Sequence, residues 1–227
     1  MAESESVSTR SSRLREEPGD WRAAAASPFV AGPEHLDLSV DVLSRAFDAD
    51  PVTDWYLRAD RRRAWALRNQ FLGILGGWAL ALEHTYLAQD GGACAVFLPP
   101  DPDPRERGWL EWVQLLRRVQ RNTGWVRLHR VVRLIVAMDR HHPRQPLHYY
   151  LWFLGVEPRR AGHGVGSVLL DAVLAKYDRE GVPSYLENSN PKNRRFYERL
   201  GYRSRGEYRP VFGGPPLDPM WREAISR

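Results

Sequence analysis

The chain has a single cysteine, Cys94, among its 227 residues. One thiol closes no internal disulfide, and its place in the apolar run ACAVFL reads as a buried structural side chain rather than a nucleophile. No apolar run approaches the ~20 residues that a bilayer-spanning helix needs. The first residues lack the charged-then-apolar order of a secretory signal, so a cytoplasmic address is expected. Gly-Lys-Ser or Gly-Lys-Thr occurs nowhere, which excludes a P-loop. The adjacent pair His141-His142 has no third His or Cys at ligand spacing, so no metal is expected. There is no internal repeat.

What is present suits one folded domain. Hydrophobic residues make up 43% and Trp occurs nine times, enough for a sizeable core. Thirty-three basic and 28 acidic side chains leave a net charge of +5. The basic residues are spread rather than massed, so nucleic acid is an unlikely partner, whereas a polyanionic small molecule suits the same charge.

Residues 1–28 are Ser-, Glu-, Arg- and Ala-rich and read as a disordered tail, with WRAAAAS too short to hold a helix alone. A domain over 29–227 follows. Phe29 and Val30 open a short strand. Leu36, Val40, Leu43 and Phe47 recur at helical spacing, and the DADP turn, Asp48 to Pro51, ends that helix. Asp54, Trp55 and Tyr56 read as a loop. Arg61 to Glu83 reads as a long helix softened by Gly73, Gly76 and Gly77, its Arg61-Arg62-Arg63 a solvated first turn. Thr85–Ala88 and Ala93–Leu98 flank QDGG as a hairpin. Trp109–Val119 and Trp125–Met138 are apolar-periodic helices. From Leu147 the order becomes strand (147–156), glycine turn, helix (165–180), strand (184–187), short helix (191–200) and a strand in LGYRSRGEYR, with a further strand around Leu217 to Trp221. The alternation predicts a mixed α/β (α+β) sheet of about six to seven strands flanked by helices.

Function concentrates in Leu147 to Gly166, where an apolar run gives way to Gly162, Gly164 and Gly166 and then a helix. Strand, glycine-rich turn and helix aim backbone N–H groups at a phosphate. Gly162-x-Gly164-x-x-Ser167 nearly matches a dinucleotide fingerprint, with Glu187 ending the next strand. Only about 40 residues follow Glu187, and no series of βαβ units precedes the turn, so a doubly wound sheet cannot be completed. A coenzyme A pyrophosphate is the third reading.

Two stretches carry a resemblance. LGVEPRRAGHGVGSVLL resembles the acetyl-coenzyme-A motif of the GNAT-type N-acetyltransferases, a strand, a V-x-P exit and R/Q-x-x-G-x-G/A opening a helix. GVPSYLENSNPKNRRFYERLGY resembles the family's following strand and its N…FYE-x-LGF helix. Together they cover about 60 residues in the right order. The GVP-x-x-LE strand, Asn193 before the Phe196-Tyr197 pair and the lead-in ending at Pro146 resemble the branch of puromycin N-acetyltransferase and its relatives. Ala161 is read as a departure from the family's usual Gln or Arg, with Arg159 and Arg160 just before it.

The resemblance implies a GNAT fold, acetyl-CoA as donor and a small-molecule primary amine as acceptor, with 29–140 on the acceptor side and 147–209 as the cofactor core. It implies cofactor contacts from Leu154, Gly155, Val156, Arg160, Ala161, Gly162, His163, Gly164, Val165, Gly166, Ser167 and Asn193. Lys192, Arg194 and Arg195 are further candidates for the coenzyme phosphates. Tyr197 falls at the general-acid position: a tyrosine of pKa ~10 stays protonated at neutral pH and suits a departing thiolate of conjugate pKa ~8.5. Glu187 falls at the general-base position, and an ordinary Glu at ~4.3 needs burial or a water relay for that work. Tyr150 and His148 are weaker candidates for lining the acceptor site. A peptide or protein amine, or a module that holds acyl-CoA without turnover, are the alternatives.

Overall fold

The computed structural model describes residues 18–100, 117–210 and 214–225. Seven strands form one mixed sheet: β1 (Phe29–Val30), β2 (Thr85–Leu87), β3 (Ala93–Leu98), β4 (Tyr149–Val156), β5 (Ser184–Asn188), β6 (Arg203–Ser204) and β7 (Asp218–Arg222). Their spatial order is β1-β2-β3-β4-β5-β7-β6. Only β4 and β5 run parallel; the other pairings are antiparallel.

Alternation along β3 explains the layers. Ala93, Ala95 and Phe97 enter one core, while Cys94 and Val96 enter the other, so both faces are covered and the strand reads as continuously apolar. Helix α6 (Val165–Arg179) covers the first face with Leu169, Leu170, Val173, Leu174 and Tyr177. The second face is covered by α2 (Leu36–Ala46) and α4 (Arg63–Ile74), which is continued by a π turn at Leu75–Ala79 and a 3₁₀ turn at Leu80–Leu82. Of the glycines expected to soften this helix, Gly76 and Gly77 lie in the π turn and Gly73 in the last turn of α4. Cys94 is fully buried, and burial pushes its thiol up to about 12.

Gly155 shows how tightly α2 lies on the sheet. A Cβ there would stand 2.9 Å from Leu43 Cδ2 and 3.3 Å from the Leu43 Cα, and the backbone of α2 cannot yield as a side-chain end would. Gly155→Ala is therefore expected to cost about 1–3 kcal/mol by overpacking, read as a lower denaturation midpoint at unchanged slope.

Two expectations are corrected. Residues 18–26, placed in the tail, form helix α1 (Pro18–Ala26) against α6. Its run of alanines has side chains short enough to lie flat, and Ala25 is fully buried. Gln89 fixes it by donating its N–H to the Ala24 carbonyl at 3.0 Å and its amide to the Ser27 carbonyl at 2.7 Å. Asp54, Trp55 and Tyr56, read as a loop, belong to α3 (Pro51–Tyr56). Asp50 caps it by accepting the Thr53 N–H at 2.8 Å, and Pro51 stands at its first position, so the DADP turn starts a helix as well as ending one. The expected tail over 1–17 and most of the expected helix Trp109–Val119 lie outside the described residues. Residues 117–123 are helical, and α5 (Trp125–His141) follows.

Two features of the sheet create an opening. The β3–β4 ladder pairs Val96 with Phe153 and Phe97 with Leu151, skipping Trp152. Such a bulge leaves the extra residue outside the ladder and bends the strand. β4 and β5 pair only at Tyr149–Ser184, Tyr150–Tyr185 and Leu151–Leu186. Past Leu151 the strands part, and among the described residues the β5-facing edge of β4 from Trp152 to Val156 has no strand partner. β7 closes the other side of β5, and Arg222 ties it to α6 through a buried bidentate pair with Asp178, 2.7 and 2.8 Å.

Candidate active site

The turn after β4 passes through a 3₁₀ segment, Pro158–Arg160, to Gly162 and Gly164. Both take positive φ, 82° and 79°, a region that costs glycine little. Gly164 caps α6, and the first bond within the helix runs from Val168 N–H to the Gly164 carbonyl at 3.1 Å. The amides of Val165, Gly166 and Ser167 precede it and have no partner inside the helix. Gly166 lets α6 close on its neighbours: a Cβ there would come 3.2 Å from Val156 and 3.5 Å from Phe196.

The side chains around the turn divide. His163 is exposed and stands edge-on to Trp21 at 5.4 Å between ring centroids. Arg160 is 2% exposed and turns inward to an ion pair with Asp90. Spacing corrects the reading of Ala161: in Arg-x-x-Gly-x-Gly the arginine stands three residues before the first glycine, which is Arg159 here, so Ala161 occupies an unconstrained position.

Where β4 and β5 part lies a polar cleft of ≈ 270 Å³. Leu154, Asn193 and Tyr197 line it, together with Asp50, Asn188 and Asn190. Gly155 faces α2 instead, and Val156 packs beside Gly166. The short helix α7 (Arg194–Arg199) carries Tyr197, whose ring also touches the core below. Burial, reinforced by Tyr202 and the Asp50 carboxylate, holds the Tyr197 phenol above its ordinary value, so it stays protonated. Of the basic residues after β5, Arg194 is engaged by Asp218 at 2.9 Å and Glu207 at 2.7 Å, while Lys192 and Arg195 are exposed.

Glu187 stands beside the cleft at the end of β5. It accepts hydrogen bonds from Tyr150 at 2.9 Å and Tyr208 at 2.6 Å. Burial raises its pKa above the ordinary carboxylate value, opposed by the hydroxyls of Tyr208, Tyr150 and Tyr185. Tyr208 is held in turn by His141, stacked on its ring at 3.7 Å. Since the Tyr208 hydroxyl favours the carboxylate form, Tyr208→Phe raises the Glu187 pKa further. The acid limb of a rate profile governed by this carboxylate is expected to move to higher pH, with the plateau rate largely kept.

A second cavity of ≈ 480 Å³ opens on the far side of Glu187. Its walls are mostly apolar: Phe47, Ile74, Trp78, Leu134, Met138 and Phe153 among others, with Tyr150 at the throat. α3 and α5 frame it, joined by Arg130 donating to the Trp55 carbonyl at 2.7 Å. The two cavities share Phe47, Asp50, Trp152, Glu187 and Ser189. His148 does not line either one. It packs against Tyr185 and Trp221, with Nε2 3.2 Å from His142 Nε2. Burial lowers both imidazoles, His142 to about 4, so both are neutral at pH 7. Among the described residues no group of three or more potential metal ligands occurs.

Asp50 and Tyr208 escaped the sequence reading. Asp50 carried a signal, an Asp-Pro pair at the head of a helix. Tyr208 carried none, because its approach to Glu187 depends on an isolated bridge to Leu217.

Residues 93–202 match the Acetyltransferase (GNAT) family. An uncharacterised N-acetyltransferase of Schizosaccharomyces pombe is 37% identical over 54 residues, which cover 24% of this chain and 22% of that relative, so the likeness spans under a quarter of its length. Among solved structures, one described as histone acetyltransferase HPA2 and related acetyltransferase from Corynebacterium glutamicum is similar with a TM-score of 0.63 at 23% identity, covering 88% of this chain and 97% of the other. Arylalkylamine N-acetyltransferase 2 from Aedes aegypti is similar with a TM-score of 0.61 at 12% identity, covering 88% and 99%. At these identities the structural likeness establishes the fold, a seven-stranded mixed sheet flanked by helices.

Proposed function

We propose that this chain, whose residues 93–202 match the GNAT acetyltransferase family, moves an acetyl group from acetyl-CoA to the primary amine of a small molecule with an apolar body. One observation carries the reading: a polar cleft where β4 and β5 part and an apolar pocket meet at Glu187 and Asp50. The fit to coenzyme A rests on the chain's own backbone. The first amides of α6, which have no partner inside the helix, suit a pyrophosphate, and the open edge of β4 leads from them toward Glu187.

The chemistry follows from that meeting point. The pocket seats the amine, and its ammonium form is attracted by Asp50 and Glu187. Glu187, made more basic by burial, takes the ammonium proton directly or through water. The neutral amine attacks the thioester carbonyl, and the bulge at Trp152 offers backbone N–H for the oxyanion. The C–N bond forms, the C–S bond breaks, the departing sulfur receives the Tyr197 proton, and the second proton of the attacking nitrogen leaves through solvent and restores the phenol. Holding the thioester and amine side by side supplies the effective concentration that a bimolecular reaction lacks.

The pocket's size and apolar walls favour a compact hydrophobic amine, such as a natural product or antibiotic, over an exposed protein lysine. The test is thiol release from acetyl-CoA with a panel of amines graded by apolar size. Turnover rising with apolar size is the expected result. Stabilisation by CoA without turnover above blank would turn the reading to a binding module. Turnover confined to peptides would turn it to a protein acceptor.

A further inference from the structure

Helix α1 lies outside the family-matched segment, yet it reaches the phosphate end of the site. Two aromatic contacts fix its first turn there. Trp21 stands against His163 of the glycine turn, and the buried Arg160 guanidinium lies over the Trp21 ring at 5.2 Å. The next residue, Arg22, is exposed and makes no ion pair among the described residues. Its Nε and Cζ lie 3.6 and 3.8 Å from the point where a Cβ on Gly164 would stand, at the cap of α6.

This placement runs against the usual electrostatics of a helix. The N-terminus of α6 carries partial positive charge and favours anions, whereas a cation beside it is unfavourable. Docking of α1 nonetheless brings a guanidinium there and, among the described residues, leaves it without a carboxylate. An anion lying between Arg22 and the α6 amides would resolve the conflict, drawing on both at once.

We propose that Arg22 is a ligand of the coenzyme A pyrophosphate and that α1 is part of the cofactor site. The inference rests on the acetyl-CoA reading above. A guanidinium offers paired donors matched to phosphate oxygens, so Arg22 would add charge-assisted bonds to those of the α6 amides.

The test compares wild type, Arg22→Ala and Arg22→Lys on acetyl-CoA, acetyl-3′-dephospho-CoA and S-acetylpantetheine, which has no pyrophosphate. Arg22→Ala is expected to raise the KM for both coenzymes roughly 5- to 20-fold, with kcat within about 2-fold. On S-acetylpantetheine the two proteins should agree within about 2-fold, and Lys should recover part of the loss. A loss of the same size on S-acetylpantetheine would overturn the assignment in favour of a structural role for α1. A loss confined to acetyl-CoA would overturn it in favour of the 3′-phosphate. An unchanged KM for acetyl-CoA would overturn it outright. If wild type neither turns over acetyl-CoA nor is stabilised thermally by CoA, the underlying reading fails; if wild type responds and Arg22→Ala matches it, only this inference fails.

Discussion

Glu187→Gln is expected to lower kcat by about 10²- to 10³-fold at neutral pH, the range for losing a positioned general base. The variant keeps the shape of the side chain and one acceptor for the Tyr150 and Tyr208 hydroxyls, so the loss reports proton transfer rather than repacking. The pH profile gives a second readout. Burial holds the Glu187 pKa above its ordinary value, so wild-type activity should rise with pH through a limb lying above the usual carboxylate range, and Glu187→Gln should lack that limb. Stability carries the opposite sign. A carboxyl whose folded pKa exceeds its unfolded one binds protons more tightly in the folded state, so its contribution is favourable at low pH. That contribution is lost as pH rises through the folded value. The neutral amide escapes that loss, and the variant should melt at or above the wild-type temperature at pH 8. A fall in kcat below about 5-fold, with the acid limb intact, would remove Glu187 from the base role.

Tyr197→Phe is expected to reduce kcat about 10²-fold at saturating acceptor, with the KM for acetyl-CoA changed by no more than about 3-fold. The phenol is held above its ordinary value by burial, so wild type should show no alkaline fall from Tyr197 below pH 10. Phenylalanine preserves the ring packing beside Phe196 and Tyr202 and removes only the proton that the proposed mechanism passes to the sulfur. The effect should shrink with an acyl donor whose leaving thiol has a lower pKa, since a more stable thiolate needs less help. An unchanged rate at saturating acceptor would make Tyr197 a packing residue. So would an equal loss across leaving groups.

The parts legible in the sequence are those whose signals are local. Apolar spacing in 165–179, the continuous apolar run of β3 and the glycines of the turn each announce their element within a dozen residues. Glu187 and Tyr197 are singled out by two motifs that stand close together in the chain, and both line the polar cleft. What escaped depends on surfaces the chain meets only after folding. Nothing in WRAAAAS says that Ala25 will be buried against the core, because small side chains carry little hydrophobic signal while fitting a tight interface well. The loop reading of Asp54 to Tyr56 failed because propensity saw a turn at Asp-Pro where the backbone begins a helix. Tyr208 is beyond any local reading, since its partner lies 21 residues away and is reached through a bridge between irregular segments.

The order of the strands has a consequence for synthesis. β7 is the last strand in the chain among those described, yet it lies inside the sheet between β5 and β6, with Pro219 opposite Glu187. As the chain emerges from the ribosome, α6 and β5 appear well before Asp218–Arg222, and until then one side of β5 has nothing to pair with. Arg222 must also arrive before its buried ion pair with Asp178 can form. The carboxylate at the centre of the site is therefore framed only when its final neighbour docks. A nascent chain stopped before residue 218 holds the glycine turn and the FYERLGY helix, but it leaves β5 with an exposed edge, a feature a cell's quality control can recognise.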